Sequence, residues 1–169
     1  MMMFLLAAAA VLGLWLMTTY NGLVKLRNLM QEGWSGIDVQ LKRRSDLIPN
    51  LVETVKGYAS HEKETLQGVT NARAAVMQAG NDPEARLQAE NALTGTLRSL
   101  FAVAENYPEL KANTNFLDLQ QQLGTIENEI QMSRRYYNGT ARNLNTAIQR
   151  FPAVLIARQF GFKEAPFFE

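Results

Sequence analysis

The chain has no cysteine and a single histidine, His61, among its 169 residues. The first absence removes disulfides, thiolate nucleophiles and zinc ribbons together. The second leaves no multi-histidine metal site. A cationic surplus is also lacking, with 17 Lys and Arg against 16 Asp and Glu, so no nucleic-acid partner is expected. Proline (5) and glycine (11) are sparse, and no strand pattern or internal repeat interrupts the chain. Gly68, Gly80 and Gly95 have neither the spacing nor the following Lys-Ser/Thr of a phosphate loop.

Charge is missing altogether from the beginning. Residues 1–24, MMMFLLAAAAVLGLWLMTTYNGLV, hold no Lys, Arg, Asp or Glu. About 20 apolar residues cross a bilayer, and Trp15 and Tyr20 fall where interfacial aromatics sit. A cleaved signal peptide would need basic residues ahead of the run and small residues at a cleavage site behind it. Neither occurs, so residues 1–24 are expected to stay as a transmembrane anchor in the lipid bilayer. Lys25 and Arg27 follow at once. The positive-inside rule then places the N-terminus outside and the body in the cytoplasm, at the inner membrane.

What remains reads as helix. One apolar seam runs Met30, Trp34, Ile37, Leu41, Arg44, Ile48, Leu51, Val55, Tyr58. A second runs Phe116, Leu119, Leu123, Ile126, Ile130, Ser133, Tyr137, Thr140, Leu144, Ala147, Phe151. Both keep a repeat of about 3.5 residues, the mark of helices packed along their length. Helices are expected over about 23–58 and 114–149, and the seams stay in phase across Pro49 and Asn138-Gly139. Shorter helices are expected over about 61–79, with Ser60 as cap, and about 83–106, where Asp82 caps and Pro83 takes the first helical position. The fold expected is all-α: an N-terminal transmembrane helix, then a long antiparallel up-and-down four-helix bundle over 25–151. A short apolar helix and an aromatic tail over 152–169 follow.

The stretches YNGLVKLRN, IDVQLKRRSDLIPNLVETVKGYASHE, VTNAR, AENYPELKANTNFLDLQQQLGTIENEI and RRYYN are similar, in order and spacing, to those of the LemA family of bacterial proteins. The resemblance covers almost the whole chain. It implies one N-terminal membrane helix with a four-helix bundle on the cytoplasmic side, and it brings no established catalytic residues. Family members implicated in forming membrane organelles, and others encoded near membrane proteases, widen the roles it implies.

Three adjacent cations, Lys42, Arg43 and Arg44, could grip an external anion or answer charges in the chain. Lys42 lies about 25 Å along a helix from Lys25, beyond a Debye length of about 8–10 Å, and Arg44 sits on the seam, where an unpaired guanidinium is costly. Internal pairing is therefore expected. Matching the two long helices end to end sets Arg44 against Glu129, Asp38 against Arg135 and Glu32 against Arg142.

No catalytic, cofactor-binding or metal-binding residue is expected. A di-iron bundle would need Glu-x-x-His, but Tyr58 stands where the Glu would be. Glu127 and Glu129 point in different directions on a helix. Two features exceed a plain bundle. The shorter helices leave part of the seam to two helices, so Met30, Trp34, Tyr137, Leu144 and Phe151, with Ala9 and Gly13 in the membrane, form an expected surface for homo-oligomerisation. Phe160, Phe162, Phe167 and Phe168 are expected either to plug the bundle end or to dock on lipid or a partner. The sequence thus describes a non-enzymatic, self-associating membrane scaffold that organises or remodels the membrane. The alternative is an adaptor or regulator docking on a membrane protease or another membrane protein.

Overall fold

A computed structural model describes residues 1–169, all six of whose elements are helical. They are α1 (Met2–Lys56), α2 (Lys63–Ala79), α3 (Pro83–Ala104), α4 (Pro108–Lys111), α5 (Thr114–Gln149) and α6 (Ala153–Gln159). The anchor and the first bundle helix are one uninterrupted 55-residue helix. The helix runs unbroken through Asn21-Gly22, a turn signal on its own.

Local signals set most ends. Asp82 accepts a hydrogen bond from the Ala85 amide at 3.2 Å, with Pro83 opening α3. Asn113 does the same for Phe116 at 2.9 Å at the start of α5. The expected Ser60 cap does not form. The chain first turns through 57–62, and α2 starts at Lys63 with no side-chain cap. The short α4 arises because Pro108 restarts a helix after Tyr107. At the end of α6, Gly161 adopts φ +71 and the Phe162 amide bonds back to Ala157 at 2.9 Å, a Schellman closure that turns the tail back.

The chain divides into two compact units. Unit 2 comprises 36–133 with 168–169. Its core joins Ile48, Leu51 and Val55 of α1 to Leu66 and Val69 of α2, Leu93 and Leu100 of α3, and Phe116 and Leu123 of α5. This is a four-helix bundle. Pro49 lies inside α1 and has no amide for the Ser45 carbonyl. Arg73 of α2 supplies the missing donor, its Nε reaching that carbonyl at 2.9 Å. The helix passes through its proline because a neighbour completes the bonding.

Unit 1 comprises 1–35 with 134–167. Here α1 and α5 approach closely at Gly33, where an added Cβ would stand 3.1 Å from the Tyr137 Cα and 3.2 Å from the Thr140 hydroxyl. Trp34 meets the Tyr137 ring edge to face at 5.5 Å. Ile156, Ala157, Phe162 and Ala165 are buried in this unit, so α6 and the tail supply the cover that α2 and α3 do not.

Candidate functional site

The most unusual chemistry is inside unit 2. Arg44 occupies a core position between Leu41 and Ile48 and is 1% exposed. Its guanidinium reaches Glu90 Oε2 at 2.6 Å, Glu127 Oε1 at 2.7 Å, the Thr94 hydroxyl at 2.8 Å and the Glu90 carbonyl at 3.2 Å. Glu90 is wholly buried and also accepts from Arg86 Nε at 3.0 Å. Arg86 in turn donates to the Gly80 carbonyl at 3.2 Å and lies 3.1 Å from Asp38 Oδ1. Lys42 closes the chain on Asp38 Oδ2 at 2.9 Å. Burial pushes the Asp38 carboxyl up, but Lys42 and Arg86 together outweigh it and hold the group below its ordinary 3.8.

Arg44, Arg86 and Lys42 therefore face Asp38, Glu90 and Glu127. Formal charge cancels, and the pairing is what makes burial of Arg44, Arg86 and Glu90 tolerable. The cluster clasps α1, α3 and α5 in one register. No group of three His, Asp or Glu side chains is arranged to hold a metal ion, and His61 is exposed in the turn before α2.

The expected ion pairs require correction. Arg44 faces Glu127, not Glu129, and Tyr58 faces Asn113 at 2.9 Å, a register two residues away from simple end-to-end matching. Asp38 pairs with Lys42 and Arg86 rather than Arg135. No ion pair joins Glu32 to Arg142, whose guanidinium instead lies over the Phe167 ring at 5.9 Å. Glu90, the most buried of the acids, lies on α3 and is invisible to a pairing of α1 with α5. A single acid at a core position between Ala89 and Leu93 was the available signal.

The seam surface is corrected in part. Tyr137 and Leu144 are buried and cannot form an exposed contact surface, since the tail lies over this part of α5. Asn145 grips the tail backbone twice, accepting from the Ala165 amide at 2.7 Å and donating to its carbonyl at 2.9 Å. The Tyr137 hydroxyl donates to the Pro166 carbonyl at 2.6 Å, and burial pushes that phenol's pKa up. Met30 and Trp34 are half-buried, while Ala9, Gly13 and Phe151 are exposed. Of the four tail aromatics, Phe162 and Phe168 are buried and so not free to dock elsewhere. Phe162 sits against Tyr20 and beneath Arg27, whose guanidinium is 4.8 Å from its ring centre. Phe160 and Phe167 remain exposed, with Phe160 edge-on to Tyr20 at 5.0 Å.

The near-neutral total charge conceals a division. Unit 1 holds eight Lys and Arg against Glu32 and Glu164 alone, whereas unit 2 holds nine against fourteen acids. Sequence reading missed this because the cations of unit 1 come from two stretches far apart in the chain.

An exposed apolar helix long enough to cross a membrane, carried into a helical bundle fastened by a closed ionic clasp, defines a membrane-associated helical protein. The LemA family model matches residues 33–169, and the chain belongs to that family. It is 26% identical to Protein LemA of Metamycoplasma hominis, over 88% of this chain and 68% of that protein. It is 24% identical to Magnetosome protein MamQ of Magnetospirillum gryphiswaldense, over 90% of this chain and 65% of that protein. Against Magnetosome protein MamQ 2 of Paramagnetospirillum magneticum the identity is 25%, over 91% and 66%. The chain thus spans about two thirds of the length of these relatives.

Proposed function

We propose that the protein is a non-enzymatic scaffold, held in the inner membrane by the first part of α1 and self-associating there, with the bundle on the cytoplasmic side. The observation that carries this reading is the start of α1, where an apolar stretch of 18 residues has no residue buried by the rest of the chain. Apolar surface of that extent needs a bilayer or another copy to cover it. Lys25 and Arg27 follow directly, which favours the cytoplasmic side for the bundle. The names of the magnetosome relatives support a role in a membrane-bounded structure. Ala9 and Gly13 offer the close approach that small residues allow between helices in lipid, and Met30, Trp34 and Phe151 extend that surface.

Mass photometry of the full-length protein in a mild detergent tests self-association. Discrete oligomers that Gly13→Leu dissociates are expected. A strictly monomeric protein would overturn the scaffold reading and favour an adaptor for a membrane partner, for which the acidic excess of unit 2 and its exposed Met77, Leu117 and Met132 provide a surface.

A further inference from the structure

Unit 1 contains a groove of about 540 Å³ with an unusual pairing of walls. Leu26, Leu29, Ala147 and Ala153 give it an apolar floor, and Lys25 and Arg150 stand exposed at its edge. It begins at Thr19 and Gly22, inside the uncharged run that ends at Val24. No acidic residue lines it. The surrounding unit has eight cationic side chains and two acidic ones, and Glu164 is already hydrogen-bonded to Gln149 at 2.6 Å.

We propose that this groove binds an anionic phospholipid, its phosphate held by Lys25 and Arg150 and the upper part of an acyl chain lying on the leucine and alanine floor. The assignment rests on the membrane-anchor reading, which sets the groove at the edge of the bilayer. Charge complementarity selects the occupant. A zwitterionic headgroup would bring a choline or ethanolamine cation against the two basic residues, and a soluble anion would leave the apolar floor in water. An apolar partner helix would fill the floor but would bury Lys25 and Arg150 without counter-charge. Cationic clusters where a membrane helix emerges attract anionic headgroups at each basic side chain.

Native mass spectrometry of the full-length protein, released from mild detergent with phosphatidylglycerol and phosphatidylcholine in equal amounts, tests the proposal. Retention of phosphatidylglycerol is expected, with a reduction of about tenfold or more in Lys25→Gln/Arg150→Gln. Gly22→Trp should lower retention with both cations intact, because Gly22 lines the groove and a Cβ there meets nothing within 4 Å, which leaves room for an indole. Unchanged melting temperatures establish that both variants fold. Equal retention of the two lipids, or undiminished phosphatidylglycerol binding in both variants, overturns the site. Full displacement of the lipid by millimolar glycerol phosphate overturns it in favour of a soluble-anion site. A carbonate wash of membranes separates the two readings. Protein that stays in the membrane but shows no lipid preference refutes the groove alone, while protein that washes off refutes the anchor and the groove with it.

Discussion

Arg44 and Glu90 form an ion pair at 2.6 Å in which neither side chain is more than 1% exposed. Such a pair stabilises little against an apolar alternative, yet removing one member strands a charge in the core. Glu90→Leu alone is expected to cost about 3–5 kcal/mol, and Arg44→Met a similar amount. The double variant should recover the part of that loss due to Arg44, while Arg86 still lacks its Glu90 partner. Glu129→Ala, outside the cluster, should change stability by less than about 0.5 kcal/mol. Thermal and urea unfolding of the detergent-solubilised protein, followed by circular dichroism, separates these outcomes, and additive losses in the double variant would refute coupling.

Acid should loosen the same cluster. Asp38 is depressed below 3.8 in the folded protein. A depressed carboxyl contributes stability that is complete above its unfolded value and is lost as pH falls through the folded one. Stability is therefore expected to decline as the pH drops below 3.8, and Asp38→Asn should flatten that limb while leaving a smaller, pH-independent loss. Melting temperature against pH for the two proteins is the measurement.

Pro49 and Arg73 should show coupling of a different kind. In the native chain Arg73→Met leaves the Ser45 carbonyl unserved, at a cost of about 1–3 kcal/mol. With Pro49→Ala in place, the residue 49 amide can supply that carbonyl from within the helix, and the cost of Arg73→Met should shrink. A double-mutant cycle with equal costs in both backgrounds would exclude the compensation.

The seams carried much of the fold. Ile37, Leu41, Ile48, Leu51 and Val55, with Phe116, Leu123, Ile126 and Ile130, were read from the repeat and are all buried. A periodic pattern states which face of a helix is covered but not what covers it. The ion pairs were misassigned for that reason. A shift of two residues between α1 and α5 leaves both seams apolar and exchanges Glu129 for Glu127, and nothing in a two-helix pattern discloses Glu90 on a third. The tail posed the same difficulty. Its aromatics were legible as apolar, but its attachment depends on Asn145, a polar residue at a buried position whose partners are backbone groups and so leave no pattern in the sequence.

Gly33 and Gly36 make a matched pair for testing the helix approach in unit 1. An alanine at 33 must displace the Tyr137 backbone, and overpacking of this kind costs about 1–3 kcal/mol. An alanine at 36 meets nothing within 4 Å and should stabilise α1 by about 0.5–1 kcal/mol. Opposite signs in thermal unfolding are the expected outcome.

Asn145 decides whether the tail belongs to the fold or hangs from it. Its amide satisfies both the amide and the carbonyl of Ala165 in a buried setting. Asn145→Ala strands both backbone groups without opening a large cavity, and each unsatisfied buried group costs about 1–3 kcal/mol. A loss of about 2–4 kcal/mol is expected. Tyr137→Phe removes only the bond to the Pro166 carbonyl, so a smaller loss near 1 kcal/mol is expected. Deleting 161–169 should then lower the melting temperature strongly and make Asn145→Ala nearly silent in the truncated background, because its partners are gone. If truncation leaves the melting temperature unchanged, the tail is an appendage, and Phe162 and Phe168 become available for a partner after all.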